Sequence, residues 1–110
     1  MSELRDEAYQ QHILDAINRV KSYVRDLDES GFVASELVQD AVVRQLLIIG
    51  EAARHLSDGF KQAHGSVPWR KITGMRAKLV HDYLGVDLPV VWHTVSIDLP
   101  DLEAKLKRSE

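Results

Sequence analysis

Apolar residues recur at steps of three and four along most of this chain, the spacing that gathers them on one face of an α-helix. The first run covers about 5–28. Tyr9, Ile13, Ile17, Val20, Val24 and Leu27 share a face, while Arg19, Lys21, Arg25 and Asp26 fall largely elsewhere. Ser30-Gly31 is expected to end it, since glycine takes the left-handed conformation of a helix exit at little cost. A second helix is expected to start at Ser35, a good N-cap with Glu36 in the first turn, and to reach about Leu56. Its middle is apolar over much of the circumference. One stripe (Val42, Leu46, Ile49, Ala53, Leu56) can face a core, but a second (Val43, Leu47) needs other cover, which a second copy of the chain could supply.

Asp58-Gly59 breaks the pattern, and loop residues are expected as far as Ser66. A third helix is expected from about Pro68, whose missing N–H suits a first turn, to Tyr83, with Gly85 as its stop. Asp87-Leu88-Pro89 reads as the cap and first turn of a fourth, with Val91, Trp92, Val95 and Leu99 inside. Pro100 cannot donate to residue 96 and should kink or restart that helix, with Asp98 as a local cap. The last piece runs from Leu102 to Arg108, its basic end favourable at a helix C-terminus. Val90-Val91 is the only β-like run, and there is no hairpin signal or repeat. The expected architecture is all-α: one domain over residues 1–110, an antiparallel bundle of four to five helices.

A chain of 110 residues at 45% hydrophobic can bury a real but small core. No stretch approaches a membrane span, and the first residues lack the basic and apolar regions of a signal peptide. Without cysteine the chain has no disulfide, zinc-thiolate site or thiol nucleophile, and a reducing cytoplasm is the expected address.

Net charge is −3, which argues against a protein that coats nucleic acid. Its distribution changes the picture. From Gly59 to His81 there is no acidic residue but five basic ones, Lys61, Arg70, Lys71, Arg76 and Lys78, leaving nine basic against seventeen acidic residues elsewhere. A basic patch on an acidic protein suits a phosphate-bearing ligand, although a solvated helix face explains so short a run equally well.

Within that segment lies Arg-Ala-Lys-Leu-Val-His-Asp-Tyr, residues 76–83. Arg76 can grip a phosphate through paired hydrogen bonds, and His81 can move a proton near neutral pH. Together they are a minimal kit for cutting a phosphodiester without metal. RNA is the fitting substrate, because its 2′-hydroxyl is an internal nucleophile that DNA lacks. Arg76 would stabilise charge on the phosphate oxygens, and His81 would serve as general base or acid. Lys78, Arg70 and Lys71 could hold neighbouring phosphates, and Trp69 is either a base-stacking surface or a core plug. On an ideal helix residues five apart differ by about 140°, so Arg76 and His81 would not share a face. Either the helix distorts before Gly85, or two protomers contribute to one cleft. The plain alternative is that His81 caps a helix and Arg76 pairs with Glu51 or Asp82. The remaining histidines (His12, His55, His64, His93) show no metal-ligand spacing.

The octet, preceded by Gly74-Met75 and followed by Leu84-Gly85-Val86-Asp87 and Val91-Trp92, resembles the Arg-x4-His-x-Tyr region of the HepT-like toxins of the HEPN superfamily. Asp40-Ala-Val-Val-Arg44, Ile48-Ile-Gly-Glu51-Ala-Ala-Arg54, Val67-Pro-Trp69 and Asp98-Leu-Pro100 extend the similarity over about 5–108. The resemblance implies a helical bundle that dimerises around a ribonuclease cleft, with Arg76 and His81 as the nuclease pair and no metal or cofactor. It also implies a partner, a minimal nucleotidyltransferase antitoxin that silences the toxin by attaching AMP to Tyr83. A bulky anionic adduct there would block substrate and cancel part of the positive field. Two positions depart from the pattern: Ala77 stands where a polar residue, often asparagine, is common, and Leu47 where many relatives carry an acid. Ala77 and the overall acidity leave open a second function, a helical dimer that binds nucleotide or the nucleotidyltransferase and cleaves nothing.

Overall fold

In the computed structural model, two long helices lie side by side. Its described residues are 2–81 and 85–107, with side chains described for 3–79 and 85–107. Helix α1 spans Ser2–Val24 and α3 spans Glu36–Arg54. They run antiparallel: Asp6, near the start of α1, accepts hydrogen bonds from Ser57, just past the end of α3, through its N–H (2.8 Å) and Oγ (2.6 Å). The stripes expected from spacing form the contact. Ile13, Ala16, Ile17 and Val20 of α1 are buried against Val42, Leu46, Ile49 and Ala53 of α3, each large side chain contributing about 1.5–3 kcal/mol relative to exposure. Ser35 is the N-cap of α3 as expected, its Oγ accepting from Val38 N–H at 3.2 Å. Val43 and Leu47, the stripe in need of cover, are half-buried.

Ser30-Gly31 does not end the first helix. The chain leaves α1 at Val24, and Ser30 and Gly31 lie inside a short helix α2, Glu29–Val33. Asp28 caps it, accepting from Gly31 N–H at 2.8 Å, and the fully buried Phe32 anchors it against Trp92 with ring centroids 5.3 Å apart. Burial of Phe32 outweighs the turn preference of a Ser-Gly pair. The expected loop after Asp58 is likewise a helix at first: α4, Asp58–Ala63, capped by Ser57 Oγ, which accepts from Phe60 N–H at 3.1 Å. Both helices were obscured in the sequence because a cap residue and one anchoring aromatic leave no periodic signal.

The third expected helix, Pro68 to Tyr83, is not continuous. Helix α5 is Trp69–Thr73, Gly74 interrupts, and α6 is Met75–Leu79. Helical structure then stops. Strand β1, Val80–His81, pairs antiparallel with β2, Gly85–Val86, with Val80 opposite Val86 and His81 opposite Gly85. Gly85 has φ +83°, the conformation glycine tolerates best, so it turns a hairpin rather than capping a helix. The Leu79 carbonyl accepts from Asp87 N–H at 3.2 Å, tying the hairpin's ends together. The absence of a hairpin signal was therefore misleading.

Asp87 caps α7, Leu88–His93, as expected, accepting from Val90 N–H at 3.2 Å, with Pro89 in the first turn. Val90-Val91 is helical here, not β. A π-helical turn, Thr94–Asp98, follows, then α8, Leu99–Lys107. The π turn sits immediately ahead of Pro100, which has no N–H to continue the ladder, so the anticipated distortion takes this form. Helix α8 packs on α1, where Glu103 sits between Lys21 (2.5 Å) and Lys107 (3.3 Å). The described residues are helical apart from turns, short connections and the paired strands β1 and β2. Eight α-helical segments stand among the described residues where four to five were expected, because the third expected helix divides and α2 and α4 were unforeseen.

Candidate active site

The acid-free segment runs from within α4 to β1, and four of its five cations are exposed. Arg70, Lys71, Arg76 and Lys78 are all exposed on α5 and α6, while Met75, Leu79 and Ile72 turn inward. The alternation follows from two short helices lying on α3, each burying one apolar side. Gly50 permits that approach. A Cβ at Gly50 would sit 3.3 Å from the Ile72 carbonyl oxygen and 3.9 Å from Met75 Cβ.

The close approach puts Arg76 beside the C-terminal half of α3. Leu47, Gly50, Glu51 and Arg54 from α3, with Thr73 and Arg76, line a cleft of about 50 Å³. The cleft has room for a phosphate oxygen or a water. The sequence offers Glu51 as an ion-pair partner for Arg76, and the two share the cleft. The carboxylate is engaged on its own helix, however: Oε1 lies 3.8 Å from an Arg54 guanidinium nitrogen and Oε2 3.0 Å from His55 Nε2. The His55 ring in turn stacks on Tyr9, centroids 5.1 Å apart. Positions 51, 54 and 55 share a helix face by their spacing, which is the signal that would have found this cluster.

Lys71 is turned elsewhere. Its ammonium lies 3.1 Å from Asp98 Oδ1, in a separate cleft beside α8 that has no residue in common with the Arg76 cleft. Trp69 is a plug rather than a stacking surface. It is half-buried, its edge meets Phe60, and its indole N–H donates to the carbonyls of Lys61 and His64, both at 3.1 Å.

The His81 backbone lies in β1, two residues past the end of α6; its imidazole, and all of Tyr83, lie outside the described residues. The helix constraint that set Arg76 and His81 about 140° apart does not apply, because helix ends at Leu79 and extended chain takes over.

A larger cavity, about 370 Å³, lies at the start of α1 and is lined by Glu3, Asp6 and Glu7 among others. Its charge has the wrong sign for a phosphate. Among the described residues no three His, Asp or Glu side chains converge as a metal site requires, and no helix is long and apolar enough to cross a membrane.

The family model described as ribonuclease HepT-like matches residues 13–109. A Thermococcus cleftensis protein named probable ribonuclease HepT is 39% identical over 100 residues, covering 91% of each chain. A Caldanaerobacter subterraneus protein provisionally named an RNase is 38% identical over 99 residues, 90% of this chain and 88% of the relative. Another so named, from Methanocaldococcus jannaschii, is 33% identical over 107 residues, 97% of this chain and 98% of its own. No solved structure matches the chain.

Proposed function

The chain belongs to the HepT-like ribonuclease family, and we propose that it is an endoribonuclease whose chemistry needs no metal, with Arg76 and His81 as its working pair. The observation that carries this reading is the break in the helix between them. Arg76 stands on α6 at the edge of a small cleft, and the chain unwinds at Leu79, which frees His81 from the helical angle.

In this mechanism Arg76 neutralises the scissile phosphate. His81 takes the proton of the adjacent 2′-hydroxyl. The 2′-oxygen attacks phosphorus, the bond to the 5′-oxygen breaks, and the proton taken up by His81 passes to the leaving oxygen. The products are a 2′,3′-cyclic phosphate and a 5′-hydroxyl. Lys78 and Arg70, exposed on the same short helices, hold flanking phosphates. Lys71 can join them only by leaving Asp98.

The protein acts as a dimer in this reading. The half-buried Val43 and Leu47 lie one turn apart on α3, and Leu47 is itself part of the Arg76 cleft, so the stripe that needs cover leads directly to the proposed site. A second copy laid there would pair two Arg76 groups around one groove. In the cytoplasm the enzyme serves as the toxin of a toxin–antitoxin pair, silenced when a minimal nucleotidyltransferase attaches AMP to Tyr83.

Expression without the partner tests this reading. Growth should slow, and His81→Ala should restore it at equal protein level. Equal toxicity of the His81→Ala variant would remove His81 from the mechanism.

A further inference from the structure

We propose that Arg54 is a second phosphate contact of the RNA groove, oriented by Glu51; this rests on the ribonuclease reading above. Arg54 comes from α3, not from the acid-free basic segment. It nevertheless lines the same cleft as Arg76, because Gly50 lets α5 and α6 lie close against α3.

Charge arithmetic favours a phosphate there. Two guanidinium groups, Arg54 and Arg76, and one carboxylate, Glu51, line the cleft, leaving a single positive charge that one phosphodiester matches. Glu51 fixes the geometry rather than quenching the site. Its two oxygens are spread between Arg54 at 3.8 Å and His55 at 3.0 Å, and His55 is itself held by the ring of Tyr9. At 3.8 Å the Arg54 pair is a loose ion pair, and the guanidinium is two-thirds exposed, with donors left for a ligand. A loose tether keeps the arginine at the mouth of the cleft and yields when a phosphate arrives. Arg54 is thereby a binding residue and Glu51 a positioning residue, while Arg76 and His81 keep the chemistry.

The test uses the intact protein and a single-stranded oligoribonucleotide carrying 2′-O-methyl groups, which cannot be cut by 2′-oxygen attack. Affinity is measured across a salt series for wild type, Arg54→Ala, Arg54→Lys and Arg19→Ala, the last an exposed arginine of α1 outside the site. Arg54→Ala should bind about tenfold more weakly, and the slope of log K against log salt should fall by about 0.7, the value for one phosphate on a single strand. Arg54→Lys should recover part of the affinity, keeping the charge but not the fork. Arg19→Ala should behave as wild type. Wild-type binding with an unchanged Arg54→Ala slope would overturn the assignment of Arg54 alone. An equal loss in Arg19→Ala would assign the effect to overall charge and overturn it as well. Failure of wild type to bind the oligonucleotide would overturn both this inference and the ribonuclease reading beneath it.

Discussion

Gly50 and Ile72 set how close the site-bearing helices come to the body of the fold. The space a Cβ would take at Gly50 ends 3.3 Å from the Ile72 carbonyl oxygen, tighter than ordinary packing and against backbone that cannot rotate away. Gly50→Ala should therefore have two opposed effects. Alanine gains about 1 kcal/mol of helix propensity, but α5 must move by a few tenths of an ångström. Melting temperature should change little while RNA affinity falls, because the cleft holding Arg76 opens. Gly50→Val should also lose stability, by about 1–3 kcal/mol in a denaturant titration.

Asp6 is the bolt between the start of α1 and the start of α4. It is 8% exposed and accepts two hydrogen bonds from Ser57, the residue that caps α4. Asp6→Ala should destabilise the protein by about 1–3 kcal/mol, since hydrogen bonds to a charged group are lost and Ser57 is left half-satisfied. Asp6→Asn should lose less. Chemical denaturation of both variants checks the order.

Glu103 ties α8 to α1 in a pH-dependent way. The Lys21 ammonium hydrogen-bonded to it holds its carboxyl below the ordinary carboxylate range; burial opposes this, and Lys107 adds to the lowering. A carboxyl whose folded pKa is depressed contributes stability above its unfolded value, and loses it as pH falls through the folded one. Wild type should therefore outlast Glu103→Gln at neutral pH. The gap should close on acidification below the usual carboxylate range, about pH 4.3 for a free glutamate. Melting curves across pH 2–7 test the sign.

Tyr83 carries the modification proposal. Co-expression with a minimal nucleotidyltransferase should add one adenylyl group to the intact mass and suppress toxicity, and Tyr83→Phe should lack both effects. An unmodified Tyr83 in a neutralised complex would point to inhibition by occlusion.

Periodicity made α1, α3 and the Leu88–Lys107 run legible, because each buries a regular apolar stripe. Capping chemistry marked Ser35 and Asp87 in advance. Short elements escaped notice. Phe32 is the one buried side chain of α2, and Gly85, with φ +83° beside the Val80–Val86 pairing, reads equally well in the sequence as a helix stop. The site was half legible. Local sequence singles out Arg76 and offers Glu51 as its partner, whereas Arg54 reaches the same cleft from a helix more than twenty positions earlier, through the packing of α5 and α6 on α3. Lys71 shows the reverse. It belongs to the basic run by sequence, yet its ammonium meets Asp98.

Incubation of the purified protein with RNA and a metal chelator shows whether Arg76 and His81 cut RNA without a metal. Cleavage should persist in chelator, leave 2′,3′-cyclic phosphate ends and be lost in both Arg76→Ala and His81→Ala. Cleavage abolished by chelator, or retained in either variant, would contradict this mechanism.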